Sequence, residues 1–294
     1  MKIALYGQFY HEGSEKYIKY ILDVLQKKNV EIVIEENFLY SINQIKDISE
    51  SFSGLDSFKE LVGDYDFFIS IGGDGTLLKS VTFVGDLGIP IIGINTGRLG
   101  FLATIKKEKI TESLNQILKG DYIISERSLL TISTIPENQE FIPLNFALNE
   151  VAINRKNTSS MIKVETKVND KYLISYLSDG LIVSTPTGST GYSLSCGGPI
   201  IDPSTNSIIL TPIAPHNLNA RPLVIPDNST ISLKVSGREK LFLVSLDSRI
   251  ATLKINTTII IKKDPFYIKF VQLPNDSFIK TLRNKLLWGE DKRN

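Results

Sequence analysis

Apolar and polar positions follow two different periods along this chain, and the change from one to the other divides it. In the first hundred residues short apolar runs alternate with stretches of helical period, the signature of a parallel sheet with crossover helices. Ile3 to Tyr6 predicts a short strand, and Ser14 to Lys27 sets Tyr17, Ile18, Ile21, Leu22 and Leu25 on one helical face. Val30 to Ile34 predicts a second strand, whereas Phe38 to about Leu55 is polar and weakly periodic, a loop with partial helix. Phe67 to Ile71 reads as a buried strand, Thr76 to Val84 as a helix, and Ile89 to Ile94 as a strand ending at Asn95-Thr96-Gly97-Arg98-Leu99-Gly100-Phe101-Leu102. From Ile123 onward the texture is short β-branched runs spaced by Gly, Pro, Asn and Asp, which argues for an all-β second domain. Lys107 to Lys119 reads as the helix joining the two, Phe278 to Trp288 as a terminal amphipathic helix, and Glu290 to Asn294 as a charged tail.

Composition narrows the classes of function. The 294 residues suffice for a large core and two domains, and 42% apolar content is that of an ordinary globular protein. Thirty-three basic against 32 acidic residues leave no global field to draw nucleic acid or an anionic membrane, so neither is expected as a partner. One cysteine, Cys196, excludes an intramolecular disulfide, and two distant histidines, His11 and His216, argue against a structural zinc site. Glu15 stands where a zinc-protease helix would need a second histidine after His11-Glu12. The apolar run at the N-terminus is too short for a signal peptide, and no stretch approaches bilayer length. A cytoplasmic location is expected.

Ile71-Gly72-Gly73-Asp74-Gly75-Thr76 places one carboxylate among three glycines where a strand runs into a helix. Glycine lets backbone N–H groups approach an anion, and the helix N-terminus favours negative charge, so the pattern suits phosphoryl transfer. Two familiar motifs fail here. A P-loop starting at Gly73 needs glycine at Leu78, although Lys79-Ser80 follow as that motif requires, and a dinucleotide fingerprint also needs a small residue at Leu78. A tight turn with a helix-capping aspartate is the plain alternative.

A second constellation, Ser178-Asp179-Gly180 followed by Ser184-Thr185-Pro186-Thr187-Gly188-Ser189-Thr190-Gly191 and Gly197-Gly198-Pro199, is dense in hydroxyls and glycines. Such groups can hold sugar hydroxyls and phosphate oxygens without net charge. With these blocks, Asn95 to Leu102, Asn149-Glu150, Pro215-His216, Arg221-Pro222-Leu223 and Asp247-Ser248, the chain resembles the bacterial NAD kinases, which phosphorylate the 2′-hydroxyl on the adenosine ribose of NAD. Gly-Gly-Asp-Gly alone would also fit phosphofructokinases and diacylglycerol or sphingosine kinases, but the threonine-rich block and Asn149-Glu150 do not belong to those.

The resemblance implies a Rossmann-like N-terminal α/β domain, residues 1–104, with 270–294 packing back on it. It implies a β-rich, sandwich-like C-terminal domain over 105–269 that binds NAD, and a homo-oligomer, tetramer or dimer. Asp74 resembles the family's proton acceptor, catalytic because an aliphatic hydroxyl is a poor nucleophile until a base takes its proton. Gly75 and Lys79 are expected beside the nucleotide, and Asn149 and Glu150 to hold adenosine in the cleft. Asp179 resembles a second ligand-binding carboxylate, and Thr190, Gly191, Tyr192, Ser193, Leu194 and Ser195 the lining of the dinucleotide site. Ala214 and Arg249 occupy ligand-contact positions, while Asp247 reads as closing a turn between two strands and His216 as a loop residue. Gly191 stands where the commonest pattern has alanine, and Ser160 and Leu177 where other members place larger or charged groups.

The substrates expected are NAD and ATP or polyphosphate. A divalent cation, Mg²⁺ or another, arrives with the triphosphate, since no carboxylate cage is visible. Two other readings stay open: a related kinase acting on a lipid or sugar alcohol, and a sensor that binds NAD or NADP without turnover.

Overall fold

The computed structural model describes residues 1–8, 15–52, 54–97, 100–138, 144–157 and 160–287. Ser14, His11-Glu12, Arg98-Leu99, Trp288 and the tail Glu290 to Asn294 lie outside the described residues. The chain divides into two units, Met1–Glu126 with Ile268–Asn294, and Arg127–Tyr267. The first is mixed α/β and the second β-rich.

In the first unit five parallel strands stand in the order Asp56–Phe58, Glu31–Glu35, Lys2–Gly7, Phe67–Gly72, Ile91–Asn95. Phe270, at the end of the long strand Thr258–Gln272, pairs in parallel with Ile91. Phe67–Gly72 is buried at all six positions, the mark of a parallel strand covered on both faces. Helix Glu15–Gln26 buries Ile18, Ile21, Leu22 and Leu25, all at most 2% exposed. That is the i, i+3, i+4, i+7 stripe read from sequence, and burying each such side chain contributes about 1.5–3 kcal/mol.

Two expectations change. The segment read as a loop from Phe38 contains helices Glu36–Asn43 and Lys46–Ser49. Glu35 caps the first, accepting the N–H of Phe38 at 2.9 Å, and burial of Phe38, Ile42 and Ile48 supplies what weak periodicity lacked. The unit boundary falls at Glu126 and Arg127, not at 104, because helix Ile110–Leu118 packs on Glu15–Gln26. The terminal segment from Ile268 belongs to the first unit.

The second unit has two largely antiparallel sheets. One carries Lys171–Ser178, Ile162–Val168, Ile231–Ser236 and the start of Thr258–Gln272. The other runs Leu223–Pro226, Ser207–Ile213, Gly180–Ser184, Glu150–Arg155, Leu241–Leu246, Arg249–Lys254. Val164, Leu233 and Ile261 from the first share one core with Ile153, Val183, Leu210 and Phe242 from the second. Strand Ile231–Ser236 alternates buried positions with half-buried or exposed ones at period two, the pattern of a strand with one face in the core.

Candidate active site

Strand Lys2–Gly7 has its next strand in sequence on one side and Phe67–Gly72 on the other, so the sheet order reverses between them. In open α/β sheets ligands gather beyond the carboxyl ends of strands at such a reversal. Asp74 stands there, first residue of helix Asp74–Val84. Its half-buried carboxylate does not cap that helix. Oδ2 accepts the N–H of Phe101 at 2.8 Å, and Oδ1 accepts those of Leu102 and Ala103, each at 3.1 Å. A Cβ at Gly100 would overlap the carboxylate, so the clamp requires glycine there. Oδ1 thus has both lone pairs engaged and Oδ2 one. Gly75 and Lys79 are exposed on the same helix, the Lys79 ammonium 5.5 Å from the centroid of the Tyr6 ring.

In the second unit Asn149, Glu150, Gly191 and Tyr192 come together. A Cβ at Gly191 would stand 3.1 Å from Glu150 Oε2 and 3.4 Å from Asn149 Nδ2. Gly188 approaches the Asn149 carbonyl so closely that a side chain would overlap it. Asn149 Oδ1 and Glu150 Oε2 are buried acceptors without a partner among the described residues, which in a folded protein marks strain or a place for a ligand. Burial, with the charge of Asp247 beside it, pushes the Glu150 carboxyl up to about 8, against a Tyr192 backbone N–H that favours the charged form. Asp179 pairs with Arg155, Nη2 to Oδ2 at 2.9 Å, and its backbone N–H donates to Ile213 at 3.0 Å. The exposed Ala214, at φ 44°, follows immediately.

The hydroxyl-dense segment differs from its sequence reading. Thr185 donates to the Leu148 carbonyl at 2.6 Å, Ser189 to that of Pro186 at 2.6 Å, and Ser193 shares a 2.8 Å bond with Thr211. These side chains are buried and spend their hydroxyls on the loop itself, whereas the buried Ser184 hydroxyl finds no partner among the described residues. Thr190 bonds the Thr187 carbonyl at 3.2 Å. Tyr192 and Ser195 are exposed and Leu194 half-buried. Arg249 is also engaged, donating to the carbonyls of Leu144 and Phe146. Cys196 is a half-buried free thiol, pushed up by its burial.

The family model described as the ATP-NAD kinase N-terminal domain matches residues 3–122, and that described as the ATP-NAD kinase C-terminal domain matches 148–273. The chain belongs to the ATP-NAD kinase family. It is an enzyme, a phosphotransferase acting on NAD. Two similar proteins are the NAD kinases of Christiangramia forsetii and Flavobacterium psychrophilum, 58% and 53% identical over 294 residues, with full coverage of each chain. A solved NAD kinase from Archaeoglobus fulgidus in complex with ATP is 26% identical, with a TM-score of 0.74 over 98% of this chain and 99% of that one. The yeast NADH kinase complexed with NADH shares the fold at a TM-score of 0.86 and 21% identity, over 99% and 89% of the two chains. Family membership decides among the three readings in favour of an NAD kinase.

Three parts of the candidate site escaped the sequence. The backbone of Phe101 to Ala103 acts through N–H groups that no side-chain pattern reveals. Arg155 meets Asp179 only because strands Glu150–Arg155 and Gly180–Ser184 are neighbours. Asp247, read as a turn residue, also accepts three backbone N–H groups from Leu148, Asn149 and Glu150.

Proposed function

We propose that Asp74 is the proton acceptor in transfer of the γ-phosphoryl group of ATP to the 2′-hydroxyl of the adenosine ribose of NAD. The observation that carries this is the clamp on its carboxylate: among the described residues three N–H donors fix both oxygens and leave one lone pair, on Oδ2. As the ribose oxygen attacks phosphorus, its proton passes to Oδ2, the new O–P bond forms, the β–γ bridge breaks, and NADP and ADP leave. A base held in one orientation wastes no alignment entropy at that moment. The first-turn N–H groups after Gly73 face the same end of the sheet as Asp74 and suit phosphate oxygens.

Asn149 and Glu150 offer unpartnered acceptors to the adenosine, and Asp179, Tyr192, Leu194, Ser195 and Ala214 complete the dinucleotide contacts in this reading. Thr190, Gly191 and Ser193 shape that loop. Among the described residues no three His, Cys, Asp or Glu side chains gather. Asp74 is saturated by N–H donors except at one lone pair, and Asp179 is paired with Arg155. That donor set suits a cation which keeps its ligands from triphosphate and water. When bound, Mg²⁺ would offset the charge of the transferring phosphoryl group. ATP as donor is supported by the ATP complex of the Archaeoglobus fulgidus relative.

The same reading takes the parallel sheet with its reversal as Rossmann-like, the chain as a homo-oligomer and its location as cytoplasmic. Among the described residues no helix is long and apolar enough to cross a membrane. The test is the purified chain with NAD, Mg²⁺ and either ATP or polyphosphate, NADP being read by a coupled dehydrogenase. Asp74→Asn is expected to keep NAD affinity within a few-fold while turnover drops by about 10²–10⁴-fold. Near-normal turnover in that variant refutes the role.

A further inference from the structure

Between strands Leu241–Leu246 and Arg249–Lys254 the chain reverses in the turn Asp247-Ser248-Arg249. Asp247 takes a left-handed conformation, φ 52°, which an aspartate tolerates better than most residues. Its N–H donates to the Glu150 carbonyl at 3.0 Å. Its carboxylate accepts the N–H groups of Leu148 at 2.9 Å, Asn149 at 2.8 Å and Glu150 at 3.1 Å. Two residues on, Arg249 donates Nη1 to the Leu144 carbonyl at 2.7 Å and Nη2 to that of Phe146. Its guanidinium carbon lies 5.4 Å from the Phe146 ring centroid. One turn therefore meets the donors of residues 148–150 and the acceptors of 144 and 146.

We propose that Asp247 is a positioning residue of the NAD site: with Arg249 it holds residues 144–150 in the corner that presents Asn149 and Glu150 to the adenosine. The inference rests on the assignment of those two residues as ligand contacts. Leu148 and Asn149 lie between strands Phe146–Ala147 and Glu150–Arg155, so their N–H groups donate to this carboxylate instead of a neighbouring strand. Left without it, three N–H groups in a half-buried corner lose charge-assisted partners.

Burial pushes Asp247 itself up, while its three N–H partners and Arg249 favour the charged form that acts on Glu150. Glu150 is faced by Asp247 from the turn and by Tyr192 from the neighbouring short helix, with Asp179 and Cys196 beyond Tyr192 and Arg249 beside Asp247. Burial and Asp247 together keep Glu150 neutral to about pH 8. A neutral carboxyl is cheaper to cover with an anionic dinucleotide than a charged one.

The experiment is NAD affinity from pH 6 to 9 for wild type, Glu150→Gln and Asp247→Asn, with kcat at saturating NAD and a thermal melt for each. Asp247→Asn removes the charge and turns an amide NH₂ toward backbone donors. It is expected to weaken NAD binding about tenfold or more at neutral pH, to change kcat at saturation by less than about threefold, and to move the pH midpoint of binding downward. A purely structural residue would not move that midpoint. Should Asp247→Asn not fold, Arg249→Met, which removes the donors to the Leu144 and Phe146 carbonyls, is read by the same split of NAD affinity against kcat. Wild-type affinity with an unmoved midpoint in a folded variant overturns the proposal. Glu150→Gln that binds NAD as wild type does, with no change in pH profile, instead sinks the ligand assignment and the inference with it.

Discussion

A carboxylate used as a base must keep a lone pair free while being held still, and Asp74 meets both conditions through the backbone of Phe101 to Ala103. Gly100 is the residue that allows it, because a methyl group there would overlap the carboxylate. Gly100→Ala is expected to push Asp74 out of the clamp, lowering kcat by about 10²-fold or more while NAD affinity stays near wild type. Steady-state kinetics beside direct NAD titration check it, and an unchanged kcat speaks against the clamp. Asp74 as a candidate for chemistry was legible from three glycines at a strand-to-helix junction. The capping alternative was equally consistent with those residues, and only the partners of its oxygens, 27 to 29 residues away, exclude it. Arg249 shows the converse: a guanidinium in a ligand-contact position by resemblance is engaged by two carbonyls of its own chain.

Among elements, the most legible were those whose apolar stripe is decided within the segment. Helix Glu15–Gln26 carries Ile18, Ile21, Leu22 and Leu25 at helical spacing and folds as that spacing predicts. Helix Glu36–Asn43 does not announce itself, since only Phe38 and Ile42 are buried in eight residues. A short helix is marginal alone, so the Glu35 cap and contacts beyond the segment decide it. The loop from Ser184 to Ser195 was visible as unusual chemistry, but which hydroxyls point inward depends on Leu148, Pro186, Ile201 and Thr211. Parallel pairing of Gly72 with Asn95 is what sets the two glycine-rich turns side by side.

For the molecule as a whole, Glu150 links the site to global stability. Its folded-state value of about 8 lies above the ordinary 4.5, so between those values the folded chain holds a proton that the unfolded chain has lost. Stability from this group is present at the acid end of the window and is lost as pH rises through it, at up to about 1.4 kcal/mol per pH unit. Melting temperatures of wild type and Glu150→Gln should therefore diverge from pH 6 to 8.5, the variant gaining relative to wild type; parallel curves contradict the neutral carboxyl. Assembly is the other whole-molecule expectation. The second unit exposes Leu218 at 88%, Ile250 at 69% and Tyr172 at 62%, and light scattering at micromolar concentration should give a dimer or tetramer mass. A monomer there refutes the homo-oligomer.

By itself the sequence determined the two textures, the parallel strands and their crossover helices, and the residues able to do chemistry, because periodicity and residue type are local properties. It also carried the kinase family, through blocks of residues in order along the chain. What only the tertiary structure decided is which lone pair, which N–H and which charge each of those residues keeps for itself. The bonds from Phe101 to Ala103 onto Asp74 and from Asp247 onto Leu148, Asn149 and Glu150 join positions far apart in sequence. Hydrogen-bond partners at that separation are set by strand pairing and burial, and no local pattern encodes them.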